Sequence, residues 1–209
     1  VLYWDMGYYE KAESLYLEAK DIWEKTLGKE HPHYAMTMNN LALFYRRRGN
    51  YEKAETFYLE AKNICEKVLG KEHPDYAESL TNLGILYSDL GNYEKAETFY
   101  LEANNICKKV LSKEHPIYVW NLESLAILYF DMANYEKAEP LFLESKDIKE
   151  KLLGKENPKY ALTLHNLANL YTDKGNYGKA EPLYLEAKDI REKTLGKEHP
   201  HYAMTMNNL

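Results

Sequence analysis

Gly28-Lys29-Glu30-His31-Pro32 returns as Gly70-Lys71-Glu72-His73-Pro74, Ser112-Lys113-Glu114-His115-Pro116, Gly154-Lys155-Glu156-Asn157-Pro158 and Gly196-Lys197-Glu198-His199-Pro200. Every step is 42 residues. A second punctuation keeps the same step: Gly49-Asn50-Tyr51, Gly91-Asn92-Tyr93 and Gly175-Asn176-Tyr177, with Gly7-Tyr8-Tyr9 and Ala133-Asn134-Tyr135 as variants. Self-similarity at a fixed period of this length marks a solenoid, in which each unit buries its apolar face on the next. The 209 residues are one short of five such units.

Two helical patterns lie between the punctuations. Tyr34, Met38, Leu41, Ala42 and Tyr45 step by 4, 3, 1 and 3, which places them on one helical face, here named helix A. Tyr51, Ala54, Tyr58, Ala61, Ile64, Cys65 and Val68 do the same over a longer run, helix B. Strand alternation appears nowhere. Pro32, Pro74, Pro116, Pro158 and Pro200 fit the first position of helix A, where a missing N–H costs nothing. The preceding His or Asn is then the N-cap, and Asn50, Asn92, Asn134 and Asn176 precede helix B in the same way. Gly28, Gly70, Gly154 and Gly196 stand where a left-handed residue closes helix B. Pro140 and Pro182 break the local rule: they fall inside helix B and predict bent or loosened first turns.

Composition excludes several classes. Lys+Arg number 27 against 33 Asp+Glu, a net charge of −6, and the longest basic run is Arg46-Arg47-Arg48. That is no nucleic-acid footprint. No stretch approaches the roughly 18 apolar residues of a membrane span. Nineteen of the 20 tyrosines sort into four columns of the repeat, those of Tyr34 and Tyr45 in helix A and those of Tyr51 and Tyr58 in helix B, with Tyr8 left over. Their abundance therefore argues for fold. Cys65 and Cys107 lie one unit apart on helix B, beyond the ~7 Å reach of a disulfide, and are expected to be free thiols. Free thiols fit a cytoplasmic protein.

Helix A carries Leu80-x-x-Leu83-Gly84-x-x-Tyr87, and helix B carries Ala96-x-x-x-Tyr100-x-x-Ala103. This resembles the tetratricopeptide signature; HEAT and armadillo repeats share the period but not this spacing. The 42-residue form is similar to the repeats of kinesin light chain and of bacterial arrays. The phrase Asn-Asn-Leu-Ala-x-Leu-Tyr-x-x-x-Gly-x-Tyr-x-Lys-Ala-Glu of the bacterial arrays is met by residues 39–55, with Phe44 in place of its second Leu. Departures are Ala133 for Gly, Ser145 for Ala, Ser112 for Gly and Asn157 for His. The resemblance implies an all-α, right-handed superhelix of antiparallel helix pairs, with the A helices lining a concave groove. It also implies a scaffold for protein partners and no catalysis. One array over 1–209 is expected: a partial repeat 1–32, full repeats 33–74, 75–116, 117–158 and 159–200, and a partial helix 201–209.

On that expectation the groove stripe is the side of helix A away from the packed face: residues 36, 39/40, 43 and 46/47 and their equivalents. The clearest column is Asn40, Asn82, Asn166 and Asn208, with Ser124 third. An amide offers donor and acceptor to the backbone of an extended peptide. Thr81, His165 and Asn169 fall on the same stripe, His165 as a ligand contact. In the third full repeat the stripe reads Trp120, Glu123, Ile127, Phe130 and Asp131, and the aromatic pair predicts an anchor pocket for a partner side chain. Charge is mixed: Arg46 and Arg47 mark the first full repeat, while Asp89, Asp131 and Asp173 take the place of Arg47 in the others, and Asp5 near the start. The acidic row selects a basic or polar partner, or is held by salt bridges. Kinesin light chain grooves are basic and accept acidic, tryptophan-containing cargo; only Arg46-Arg47 matches that.

Enzyme readings find no footing. His31, His73, His115 and His199 are one repeat apart, and helices stacked roughly 8–10 Å apart cannot bring two of them to one zinc. Phosphate loop, nucleophile elbow and Cys–His motifs are absent. No cofactor and no metal are expected. Residues 24–41 recur without change at 192–209, and the chain starts and stops inside helix A. An array running on beyond these ends is expected. So is head-to-tail self-association through Leu2, Tyr3 and Trp4 at one end and Met204, Met206 and Leu209 at the other. The alternatives to a binding scaffold are a structural spacer and the sensor portion of a larger protein.

Overall fold

A computed structural model describes residues 2–209, with the side chains of Leu2 and Asp5 set aside. What the sequence predicts for Val1 and for those two side chains lies outside the described residues. The chain divides into two compact units, Val1–Ser112 and Lys113–Leu209. Unit 1 holds α1 (Leu2–Asp5), α2 (Tyr9–Leu27), α3 (Pro32–Arg47), α4 (Tyr51–Val68), α5 (Pro74–Asp89) and α6 (Tyr93–Val110). Unit 2 holds α7 (Pro116–Asp131), α8 (Tyr135–Leu153), α9 (Pro158–Asp173), α10 (Tyr177–Leu195) and α11 (Pro200–Asn208). Helix A is α3, α5, α7 and α9; helix B is α2, α4, α6, α8 and α10. No strand occurs among the described residues.

The punctuation does what its chemistry predicts. Each A helix opens on Pro, with the cap side chain accepting from the backbone N–H two residues on: His73 Nδ1 from Asp75 at 3.1 Å, Asn157 Oδ1 from Lys159 at 2.9 Å. Asn50 and Asn92 cap helix B by accepting from Lys53 and Lys95 at 3.2 Å. Glycine ends helix B at Gly28, Gly154 and Gly196 with φ near +80°. At Ser112 no glycine is present, and the cap Leu111 is extended instead. Both α8 and α10 run unbroken through Pro140 and Pro182. Neither proline ends its helix, because one missing N–H in a long helix leaves the turns on either side bonded.

Short loops such as 48–50 force antiparallel pairs, and each B helix then packs on the next A helix of its unit. Met38, Leu41 and Ala42 in unit 1, and Leu122, Ala126, Leu164 and Ala168 in unit 2, are fully buried. Tyr34, Tyr45, Tyr76, Tyr87, Tyr160 and Tyr171 of helix A bury their rings and donate their hydroxyls to glutamates, whereas the column that opens helix B is more exposed, Tyr177 at 68%. Tyr76 donates to Glu102 at 3.0 Å on its own B helix, and Tyr171 donates to Glu139 at 2.9 Å on the preceding one. Phenylalanine would fill the same space and lose these hydrogen bonds between helices, which is what tyrosine adds. Burial, followed by the Glu139 contacts, pushes the Tyr171 phenol up to about 12.

Candidate functional site

In unit 1 the predicted stripe is largely occupied by the protein itself. Arg46 Nη1 donates to Asp89 Oδ2 at 2.9 Å, joining α3 to α5, and Arg46 also lies against Tyr58. Arg47 spreads its guanidinium over the Trp4 ring at 5.6 Å. Asn40 is exposed and Asn82 half-buried. Thr81 departs from the expectation. It is fully buried and donates to the Ala77 carbonyl at 3.0 Å, because its column turns toward the paired B helix.

Unit 2 contains two adjoining cavities. One, of about 160 Å³, is lined by Ile127, Phe130 and Asp131 of α7, Phe142 of α8, and Asn166 and Asn169 of α9. The other, of about 340 Å³, shares Phe130 and Asn169 and adds Thr172, Asp173, Tyr184 and Asn208. Asn169 is held in place: its Oδ1 accepts from Tyr184 at 2.6 Å and from Asn208 Nδ2 at 3.0 Å. Burial pushes the Asp131 carboxyl up. Asp173 accepts from the Tyr135 hydroxyl at 3.5 Å. Five predicted residues of α7 and α9 thus meet at the first cavity: Ile127, Phe130, Asp131, Asn166 and Asn169. Asp173 lines the second.

Three predicted residues of unit 2 are placed elsewhere. Trp120 is exposed and lines neither cavity. Ten residues of helix carry it about 15 Å along the axis from Phe130, so a shared side is not a shared pocket. Glu123 points into the helix interface, where its Oε1 accepts from Lys149 at 2.6 Å and Thr163 at 2.6 Å. His165 is 2% exposed, with Asn208 Nδ2 at 3.5 Å from its Nε2. Burial first, then the Arg191 and His201 charges, pull its pKa down to about 4, so the ring is neutral.

Sequence reasoning missed the partners of Glu123 and His165. Trp23, Cys65, Cys107, Lys149 and Arg191 form one column of helix B at the 42-residue step. Cys65 and Cys107 are buried and free. Lys149 and Arg191 put charges at that buried place. Arg191, 1% exposed, donates to the His201 carbonyl at 2.9 Å and to the Thr205 hydroxyl. The signal was available: a charged residue in a column otherwise held by Trp and Cys requires a buried partner.

Among the described residues no helix is long and apolar enough to cross a membrane. The tetratricopeptide repeat family model matches residues 1–43, 34–109, 89–151, 117–191 and 159–209, and so the whole chain. No curated protein sequence is significantly similar. Among solved structures the chain is similar to BtubC (BKLC) from P. vanneervenii: 29% identity, TM-score 0.80, covering 95% of this chain and 79% of that one. It is similar to a putative kinesin light chain of Podosopora anserina with nearly identical TPR-like repeats: 27% identity, TM-score 0.75, covering 92% and 91%. It shares its fold with the Rap conjugation gene regulator of plasmid pLS20: 16% identity, TM-score 0.78, covering 98% and 54%.

Proposed function

The chain belongs to the tetratricopeptide repeat family, and from that premise we propose a non-catalytic scaffold that holds an extended peptide or partner helix along the A helices. The observation that carries this reading is the cavity between α7 and α9, where apolar walls from Ile127, Phe130 and Phe142 meet the amides of Asn166 and Asn169. Apolar walls with a few convergent polar groups are what a peptide side chain and its backbone require. Asn40 and Asn82 offer the same amide chemistry in unit 1, and the unbroken 42-residue register supports one array over 1–209. The buried free thiols of Cys65 and Cys107 support a reducing, cytoplasmic setting. Immobilised chain is expected to retain a defined set of proteins from its native extract, and Asn166→Ala with Phe130→Ala to lose them while keeping full helicity by circular dichroism. Retention unchanged in the double variant overturns the reading.

A second reading rests on α11. Residues 24–41 and 192–209 are identical, yet Met38 and Leu41 are fully buried while their equivalents Met206 and Leu209 are 46% and 50% exposed. Another copy contributing its first helices would cover them, as a heterologous contact. Light scattering over a concentration series tests this; a strict monomer throughout counts against it.

A further inference from the structure

The Arg46–Asp89 pair of unit 1 has a counterpart in unit 2 that lacks its cation. Arg46 precedes Asp89 by 43 residues, and Phe130 precedes Asp173 by the same 43. Each member of the second pair stands two whole repeats after its equivalent in the first. In unit 1 Arg46 donates to Asp89 at 2.9 Å and also engages the hydroxyl of Tyr58. Tyr58 corresponds to Phe142, and Phe142 walls the 160 Å³ cavity of unit 2. The aromatic ring and the aspartate are kept, the hydroxyl of Tyr58 is lost, and the arginine is replaced by a phenylalanine ring.

The charge balance of unit 2 leaves that place open. Neither Asp131 nor Asp173 forms an ion pair among the described residues. Lys174, beside Asp173, is engaged by Glu139 at 2.6 Å. Lys149 is engaged by Glu123. Asp131 and Asp173 are both exposed, so an incoming cation can reach their carboxylates, and partial burial pushes the Asp131 carboxyl up. Both cavities greatly exceed the ~30 Å³ of one water molecule.

We propose that the unit 2 cavities bind the side chain of an arginine on a partner polypeptide. Its methylene stem lies along Phe130 and Ile127, and its guanidinium takes the role that Arg46 plays within unit 1. A planar guanidinium suits this surface: it stacks on an aromatic face and forks hydrogen bonds to carboxylate and amide oxygens at once. The proposal rests on the groove reading and adds the chemistry of the residue that anchors there. Phe130 accounts for specificity, because an arginine at this place satisfies the aspartate from within and closes the site.

The test is selection of a random peptide library on phage against the 209-residue chain, followed by affinities of one enriched peptide for variants. Enriched peptides are expected to share an arginine. Replacing that arginine by alanine is expected to weaken binding about tenfold or more, the scale of a charge-assisted contact. Phe130→Arg, which restores the internal pair with Asp173, is expected to erase the advantage of the arginine peptide over the alanine peptide, whatever it does to both through the lost ring. Asp131→Asn with Asp173→Asn is expected to do the same without adding bulk, which covers the case in which Phe130→Arg fails to fold. Enriched peptides that lack a basic residue but lose binding with Asn166→Ala overturn the arginine assignment and keep the groove. Arginine peptides indifferent to the aspartate variants overturn the assignment as well. A fully helical chain that enriches no peptide overturns the groove reading and this inference together.

Discussion

Lys149 Nζ on α8 donates to Glu123 Oε1 on α7 at 2.6 Å, and Thr163 of α9 donates to the same oxygen at 2.6 Å. Lys149 also donates to the Lys159 carbonyl at 3.3 Å. Three helices are thereby tied through one carboxylate, and the Lys149 side chain is only 8% exposed. Replacing such a pair by apolar residues is often neutral, but removing one member leaves a charge buried alone. Glu123→Ala is expected to cost about 3 kcal/mol of unfolding free energy. Glu123→Gln, which keeps an oxygen for both donors, costs less. Denaturant titration of the three proteins checks the order. A Glu123→Ala chain as stable as the parent means that the carboxylate is not needed there.

The next repeat presents the same junction with different chemistry. His165 stands in the column of Glu123, and Arg191 in that of Lys149. Burial, Arg191 and His201 hold the His165 pKa at about 4, against about 6.5 for an unfolded imidazole. Between those values the unfolded chain takes up a proton that the folded chain refuses. Stability contributed by neutral His165 is full above the upper value and falls as pH drops toward the lower one. The loss amounts to about 3 kcal/mol. His165→Asn, the residue found at Asn39 and Asn207, cannot titrate. The difference in unfolding free energy between parent and variant is therefore expected to change across that window and to be flat above it. A constant difference at every pH refutes the burial argument.

These two junctions also mark where sequence reasoning ran out. The period, the helix ends, the caps and the apolar faces were legible because each depends on neighbours along the chain: Pro74 after His73, Asn50 before Tyr51, Leu80 beside Leu83. Glu123, His165 and Thr81 share a stripe with Asn82 and Asn166 on a helical wheel, yet they are turned into the interface. Their column faces the Lys149–Arg191 column across a helix pair, a relation between residues 26 apart that a wheel does not show. Trp120 stands apart from the Phe130 cavities for a different reason. Angular agreement ignores the rise along the axis, and the cavity formed around Phe130 with Ile127 and Asn169 instead.

The caps of helix A give a test at one atom. His115 Nδ1 accepts from the Ile117 N–H at 3.3 Å, and Asn157 Oδ1 accepts from the Lys159 N–H at 2.9 Å in the next repeat. Both side chains fill one role, an acceptor for an N–H that the helix cannot pair. His115→Ala is expected to cost about 1 kcal/mol, and His115→Asn to preserve or raise stability. Thermal unfolding followed at 222 nm by circular dichroism, on the order of a few degrees of change for His115→Ala, checks this. Equal losses for alanine and asparagine argue that the ring packs rather than caps.

Ala133 carries the last prediction. It is the non-glycine residue with positive φ among the described residues, at 55°, where Gly49, Gly91 and Gly175 take φ of 71–74° at the same point of the repeat. The turn requires that conformation: Ala133 N–H donates to the Phe130 carbonyl at 2.8 Å, and Asn134 N–H to the Tyr129 carbonyl at 2.8 Å. A methyl group there clashes with its own backbone and costs about 1–2 kcal/mol, part of which glycine returns through its larger unfolded-state entropy. Ala133→Gly is therefore expected to stabilise unit 2 by about 0.5–1 kcal/mol. The reverse change, Gly91→Ala in unit 1, meets no neighbour within 4 Å, so any destabilisation it causes is purely conformational. Opposite signs in the two denaturant curves, with similar size, are the expected result. A loss of stability in Ala133→Gly would show instead that the Ala133 methyl makes a contact worth more than the strain it carries.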